Sequence, residues 1–338
     1  MLAIDDVAES PIQGQLGNDH NGAANGKDEV YKGKNHPWAV NPATRLNHDT
    51  LINLIPTFGM ILLTIAVNKS QWGQDFYRWL NANYTPFEIN TWWIFGITTV
   101  QYWITGLIFC AFDMNDTLHN MVARFKIQPQ RRITWAEYRQ VFYVVAKNQL
   151  LMALPLSAAS AYIAPRPTSL PLPGAWTTTW TYFVCLFFEE AGFFLVHRAV
   201  HSKRWYASVH KMHHQFQAPV AMASTYCTLT EHLFSNLLPI IAGLWLCDAH
   251  WSLAVMFFTS LQIGTLCTHS DYNIPGLYDA LQHDWHHYSF TENFGPTGLF
   301  DRICGTDKNF KIWLKELKRR DAAGWKMNGR TELVDKTQ

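Results

Sequence analysis

Hydrophobic residues in this chain are concentrated in long runs that polar loops separate. The first four runs are Leu51–Val67, Thr91–Phe112, Phe142–Ala164 and Trp176–Val196. Each comes close to the roughly 20 residues that an α-helix needs to cross a bilayer. A further pair, Leu233–Cys247 and Trp251–Cys267, is only marginally long enough, which favours a shallow or re-entrant hairpin. The pattern predicts an all-α integral membrane protein with about four transmembrane helices plus a short membrane hairpin.

Basic residues predict which loops face the cytosol. Arg124, Lys126, Arg131, Arg132 and Arg139 crowd the 113–141 loop, whereas the 68–90 loop carries only two basic residues. Loops rich in Lys and Arg stay on the cytosolic side of a membrane, so the 113–141 loop is predicted to be cytosolic. With four crossings and a hairpin, the segments after residues 196 and 268 return to that side, where they would form a cytosolic helical cap.

Overall composition excludes some classes of function. The formal net charge is only +1, so the chain offers no basic face for nucleic acid. Its six cysteines form no CxxC pair and mostly lie in or beside apolar runs, which favours buried thiols over disulfides.

Three histidine boxes carry the candidate chemistry of the chain. They lie in a stretch of 91 residues that contains eleven of the fifteen histidines. The boxes read HRAVH from His197 to His201, HKMHH from His210 to His214, and HDWHH from His283 to His287, with a lone His269 between the last two. On a helix, positions i, i+3 and i+4 share a face, so each box aims two or three imidazoles at one point. We expect the first two boxes to share one helical stretch from 196 to 215, or two close ones. His232 and His250 lack a box and are interpreted as structural.

Carboxylates beside the boxes are candidates for orienting the imidazoles. Glu189 lies at four-residue steps from Phe193 and His197, and Glu190 is its neighbour. A carboxylate that accepts an imidazole N–H fixes the tautomer of a metal ligand, and we expect this role for one of the two. Asp284, inside the third box, is a candidate for the same role or for capping a helix.

The number of histidines implies two metal ions, because one structural zinc site needs only four ligands. Nitrogen ligands suit zinc, copper, nickel or iron. Zinc would support hydrolysis and iron would support dioxygen chemistry, and the spacing of the boxes does not choose between them.

Three stretches of the chain resemble the fatty acid hydroxylase/sterol desaturase superfamily, a group of integral-membrane non-heme di-iron enzymes. They are HKMHHQFQAP at 210–219, HSDYNIPG at 269–276 and HDWHHYSFTENFGPTGLFDRICGTD at 283–307, and the likeness runs from about Glu189 to Asp307. They look most like C-4 methylsterol monooxygenases, with sterol 25-hydroxylases next. The resemblance implies nine iron ligands: His197, His201, His210, His213, His214, His269, His283, His286 and His287.

Two positions depart from the pattern of these relatives. Gln282 stands where many have a further histidine, and Asn273 stands where some have histidine or aspartate. Their side-chain oxygens can bind a metal weakly or hydrogen-bond a water on it, so we expect both near the site.

The resemblance also implies an activity and its partners. It implies two iron ions, O2, a sterol or sterol-like lipid substrate oxidised at an unactivated C–H bond, and electrons from NAD(P)H through a separate reductase or cytochrome b5. The expected location is the endoplasmic reticulum membrane, with the catalytic face in the cytosol. A hydroxylase or desaturase of another polycyclic terpenoid is the alternative. A histidine-rich metal transporter is less well supported, because its ligands should lie at mid-bilayer on broken helices.

These inferences divide the chain into four parts. Residues 1–48 are predicted to be a disordered cytosolic leader, and 49–196 to hold transmembrane helices with their loops. Residues 197–310 would form the histidine-box catalytic domain, including the membrane hairpin 233–268, and 311–338 a polar C-terminal tail.

Overall fold

The computed structural model describes residue 48, residues 55–129 and residues 131–322, with side chains up to residue 315. Among these residues there is no β-strand, and Lys126 and Tyr272 form an isolated bridge. The helices are α1 (Ile55–Lys69), α2 (Gln71–Asn83), α3 (Pro86–Met114), α4 (Asp116–Val122), α5 (Trp135–Ile163), α6 (Ala175–Val200), α7 (Leu229–Leu246), α8 (Trp251–Thr268), α9 (Leu281–Ser289), α10 (Leu299–Cys304) and α11 (Lys308–Ala322). The predicted all-α membrane fold is confirmed.

Four helices in the described part of the chain are long and apolar enough to cross a membrane: α3, α5, α7 and α8. The two helices of the predicted hairpin are among them, so each is long and apolar enough to cross, where the sequence indicated only marginal length. The 26 residues of α6 are also long enough, but this helix carries Glu189, Glu190 and Arg198. The α1 helix has only 15 residues. Of the predicted leader at 1–48, residues 1–47 lie outside the described residues.

Local capping fixes where the two hairpin helices begin. The Thr228 hydroxyl accepts a hydrogen bond from the Glu231 backbone N–H and so starts α7 ahead of the run that begins at Leu233. At the start of α8, the His250 ring accepts from the backbone N–H of Ser252. Both caps satisfy amides that the first turn of a helix leaves without a partner.

Small residues let α6 and α7 approach closely. A Cβ added at Gly243 would lie 2.7 Å from the Cα of Cys185, and one at Gly192 would lie 3.0 Å from the Cβ of Pro239. Close approach through glycine is a common way for helices to pack in membranes. Because the first histidine box begins at the end of α6, this contact also fixes where that box lies.

The region predicted to be a polar tail begins inside a helix. Phe310, Trp313 and Leu314 of α11 are buried in a cluster with Trp285 and Leu281 of α9. The rings of Trp313 and Trp285 lie 4.9 Å apart. The predicted boundary at residue 311 therefore lies inside a helix that packs on the third box. The sequence did not indicate this helix, because many charged residues separate the apolar positions of α11.

Candidate metal centre

The structure gathers all three boxes and His269 into two neighbouring clusters. The first contains five histidines: His197, His201, His210, His214 and His286. The second contains four: His213, His269, His283 and His287. Within each cluster, one nitrogen of every ring lies within 4.8 Å of the others. All nine are buried except His283, which is partly exposed.

Several short elements, not one long helix, position the boxes. The α6 helix ends at Val200, and a π-helical turn at Tyr206–His210 and a 3₁₀ turn at His213–Gln215 follow it. The expectation of two close helical stretches is thus only partly met. The third box lies on one short helix, α9, where His283 and His287 are one turn apart.

In the five-histidine cluster, the Nε2 atoms point at one another. His197 and His210 are 3.2 Å apart through these atoms, and His210 and His214 are 3.0 Å apart. His201 approaches His214 at 3.2 Å and His286 at 3.1 Å. In the four-histidine cluster, His269 lies 2.8 Å from His283 and 3.3 Å from His213, again through Nε2.

Hydrogen bonds on the far side of the rings fix the tautomers of four histidines. The Nδ1–H of His197 donates to the Phe294 carbonyl at 2.7 Å, and that of His286 donates to the Glu292 carbonyl at 2.8 Å. His210 donates to the carboxylate of Glu231 at 2.7 Å, and His269 to the Thr265 carbonyl at 2.8 Å. Each Nε2 of this group therefore presents a lone pair to its cluster.

This donor set fits a metal ion in each cluster. Bare lone pairs such as those of His197 and His210 repel at 3.2 Å, and a bound cation relieves that repulsion. Burial lowers the pKa of His201, His214, His286 and His287 well below the usual range, and their mutual repulsion lowers it further. They are therefore neutral near pH 7, the form that coordinates metal.

Adjacent histidines serve different clusters. His213 and His214 follow each other in the chain but belong to the four- and five-histidine clusters, respectively. His287 and His286 divide in the same way.

The carboxylates expected to orient the first box lie elsewhere. Glu190 accepts hydrogen bonds from the backbone N–H groups of Thr297, Leu299 and Phe300, at 2.8, 3.1 and 3.4 Å. Glu189 is buried but makes no hydrogen bond to a histidine in the described part of the chain. The expectation for the pair is corrected, since the Phe294 carbonyl already occupies the N–H of His197.

We expect Glu190→Gln to lower the stability of the protein without changing its metal content. The carboxylate holds the backbone that leads into α10, and a neutral amide would accept more weakly, at a cost of about 1–2 kcal/mol. Thermal unfolding of the purified protein, combined with metal analysis, checks this. Glu189→Gln, one residue away and without these bonds, is the matched control. Loss of metal from Glu190→Gln at unchanged stability would contradict the assignment.

The remaining predicted neighbours hydrogen-bond to groups outside the boxes. Asp284 accepts two hydrogen bonds from Gln128 Nε2, each at 3.1 Å. Asn273 accepts from the Ala280 backbone N–H at 3.0 Å, and Gln282 donates to the Gly295 carbonyl at 3.4 Å. These contacts differ from the expected ones because the side chains turn away into the loops that flank the site.

Sequence reasoning missed Glu231, the one carboxylate that does orient a box histidine among the described residues. Both Glu231 and His210 are buried, and the second carboxylate oxygen of Glu231 has no hydrogen-bond partner. The available signal was an acidic residue at the start of an apolar run, where a buried charge is usually functional.

The chain is similar to known proteins over the region that forms the site. The fatty acid hydroxylase family model matches residues 182–306, the region that holds every clustered histidine. A fatty acid hydroxylase of Mycosarcoma maydis is 39% identical over 279 residues, covering 81% of this chain and 72% of the relative. The chain belongs to the fatty acid hydroxylase family.

Other members of the fatty acid hydroxylase family show its breadth. Human fatty acid hydroxylase domain-containing protein 2 is 31% identical, covering 71% of this chain and 76% of the relative. Methylsterol monooxygenase 1 of Danio rerio is 29% identical, covering 68% of this chain and 81% of the relative. No solved structure matches the chain. The resemblance to this superfamily is confirmed.

Proposed function

We propose that this protein is an O2-dependent di-iron oxygenase that oxidises an unactivated C–H bond of a membrane lipid. The observation that carries the proposal is the pair of buried, neutral histidine clusters with converging Nε2 atoms. A pair of iron ions bound there would supply the activation of dioxygen. The nine clustered histidines are the proposed iron ligands. The rival function, a zinc hydrolase, has no support from the family.

The residues of the chain prepare the site before any substrate arrives. Glu231 and the carbonyls of Phe294, Glu292 and Thr265 hold four imidazoles in one tautomer each. Burial of the rings keeps water away, which an oxidising site requires to avoid side reactions. His283 is the one partly exposed histidine of the two clusters.

For the substrate we propose a sterol or sterol-like lipid, oxidised at a methyl carbon such as C-4. The support is the group of methylsterol monooxygenases among the relatives, at 27–29% identity. Another polycyclic terpenoid is the alternative within the same chemistry.

A second candidate substrate is a fatty acyl chain. The relative from Mycosarcoma maydis, named a fatty acid hydroxylase, shares 39% identity with this chain, more than the methylsterol monooxygenases do. The same clusters would serve both reactions, so the choice depends on the lining of the substrate site.

The proposed electron source is a separate protein. The chain shows no Gly-rich nucleotide fingerprint and no HPGG heme signature, so NAD(P)H would act through a reductase or cytochrome b5. We place the protein in the endoplasmic reticulum membrane with the catalytic face in the cytosol, where the basic loops would meet an acidic partner.

An anaerobic reconstitution tests the function. The purified protein, loaded with Fe(II) and supplied with a reductase, is given either a 4,4-dimethylsterol or a fatty acid, with and without O2. We expect about two iron ions per chain and O2-dependent products, and product mass separates methyl oxidation from acyl hydroxylation. Turnover without O2, or an iron content near zero, would overturn the proposal.

A further inference from the structure

Lys126 is a buried cation in the loop between α4 and α5. The residue is 4% exposed. Its Nζ lies 2.9 Å from an oxygen of Asp271, 3.6 Å from one of Asp113, and 4.4 Å from the ring centre of Tyr272. Asp113 also accepts hydrogen bonds from the hydroxyls of Tyr138 and Tyr272, at 2.6 and 3.0 Å. One lysine thus holds together two carboxylates from distant parts of the chain.

Backbone bonds extend this contact into a short clamp, which we define as residues 125–128. The Ile127 N–H donates to the Asp271 carbonyl at 2.8 Å, and the Asn273 N–H donates to the Phe125 carbonyl at 2.9 Å. The Gln128 N–H donates to the Asp271 carboxylate at 2.9 Å. The clamp is therefore joined to the 271–273 segment on both sides of Lys126.

The same clamp reaches the third histidine box. The side-chain amide of Gln128 donates to both oxygens of Asp284 at 3.1 Å. Asp284 directly follows His283, and Asp271 lies two residues after His269. Three of the four histidines in the second cluster, His269, His283 and His287, thus stand on segments that the clamp holds.

One histidine of the five-histidine cluster, His286, also lies on the α9 segment that the clamp holds, but the rings of this cluster are fixed mainly by other groups. His197 and His286 are fixed by loop carbonyls and His210 by Glu231. The nearest contact of the clamp to the second box is from Gln128 to the carbonyl of Gln217, three residues beyond His214. The clamp therefore acts unequally on the two clusters.

We propose that Lys126 is a positioning residue that sets the metal affinity of the four-histidine cluster. The inference rests on the proposed function, in which that cluster binds an iron ion. Removing one partner of a buried ion pair leaves the other charge buried without compensation, which strongly destabilises the folded structure around it. Without Lys126, the buried Asp271 carboxylate loses the cation that holds it, and the segment that carries His269 is expected to shift with it.

The lysine is charged in this setting. Burial alone would lower the pKa of Lys126, but Asp271 and Asp113 outweigh it and raise the pKa above its ordinary value. A neutral side chain of similar length therefore removes the attraction while it keeps most of the volume.

Metal titration of Lys126→Met tests the proposal. Metal-free protein in detergent is titrated anaerobically with Co(II), whose absorption spectrum reports each histidine site, and iron content is measured after loading with Fe(II). We expect one site to bind about 10-fold more weakly, as is typical when a residue behind a ligand is lost, and the other to stay unchanged. Lys126→Arg, which keeps the charge, should restore most of the affinity.

Two further variants separate positioning from general loosening. Lys311→Met also removes a lysine paired with an acid, Asp307 at 2.6 Å, but on the surface, so both sites should keep their affinity. Gln128→Leu breaks the link to Asp284 without removing a charge, and it should weaken the same single site if Lys126→Met fails to fold. Equal weakening of both sites, or none, would overturn the proposal.

The outcome for the wild-type protein distinguishes this inference from the proposed function. Two bound ions without O2-dependent turnover would defeat the oxygenase proposal and leave the role of Lys126 standing. Fewer than two bound ions would defeat both.

Discussion

His286→Ala is expected to abolish turnover while the protein stays folded in the membrane. His286 lies in the five-histidine cluster, fully buried, with its Nδ1–H on the Glu292 carbonyl and its Nε2 3.1 Å from that of His201. Loss of a residue behind a metal ligand typically costs about 10- to 100-fold, so loss of a proposed ligand should exceed that range. Activity and iron content of membranes with matched protein levels provide the measurement.

His250→Ala is the matched control for this loss. His250 is also buried, but it caps α8 and its Nε2–H donates to the Ser169 carbonyl at 3.1 Å, far from either cluster in the fold. Its replacement should cost about 1 kcal/mol of stability and leave the iron content unchanged. Full activity of His286→Ala would remove it from the proposed ligand set.

Glu231→Ala is expected to weaken metal binding at the five-histidine cluster by about 100-fold, the upper end of the range for such residues. The lost group is a buried carboxylate 2.7 Å from His210 Nδ1, and it both fixes the tautomer and makes the imidazole a stronger donor. The four-histidine cluster, which Glu231 does not touch, should keep its affinity. Metal titration with two resolved sites checks both statements.

Glu189→Gln serves as the control here, because Glu189 is equally buried and is the carboxylate that helical spacing favours. If Glu189→Gln lost metal and Glu231→Ala did not, the assignment based on helical spacing would be right and the one based on the hydrogen bond to His210 would be wrong.

The convergence of rings within a box could be predicted because it depends on local geometry. His283 and His287 are four residues apart on α9, so helical spacing alone directs both rings to one cluster. The hydropathy of α3 and α5 likewise identifies two of the spanning-length helices from the sequence, because an apolar run of that length needs no distant contact to be recognised.

What the sequence could not reveal depends on contacts between distant segments. Glu231 is 21 residues from His210, and Lys126 is 145 residues from Asp271, so no periodicity connects either pair. Spacing also misled in one case. Glu189 lies about two helical turns before His197, but the Phe294 carbonyl, from 97 residues away, occupies the imidazole N–H.

The His213–His214 and His286–His287 dipeptides each contribute one ring to each cluster. Because a trans peptide holds neighbouring Cα atoms about 3.8 Å apart, two peptide units tie the positions of the two clusters to each other. A change beside either dipeptide is therefore expected to displace histidines of both clusters, whereas a change at a group that contacts one cluster, such as Glu231, is expected to act on that cluster alone. Divergence in substrate within this family is expected in the surrounding helices, around a pair of histidine clusters whose relative position is inherited as a unit.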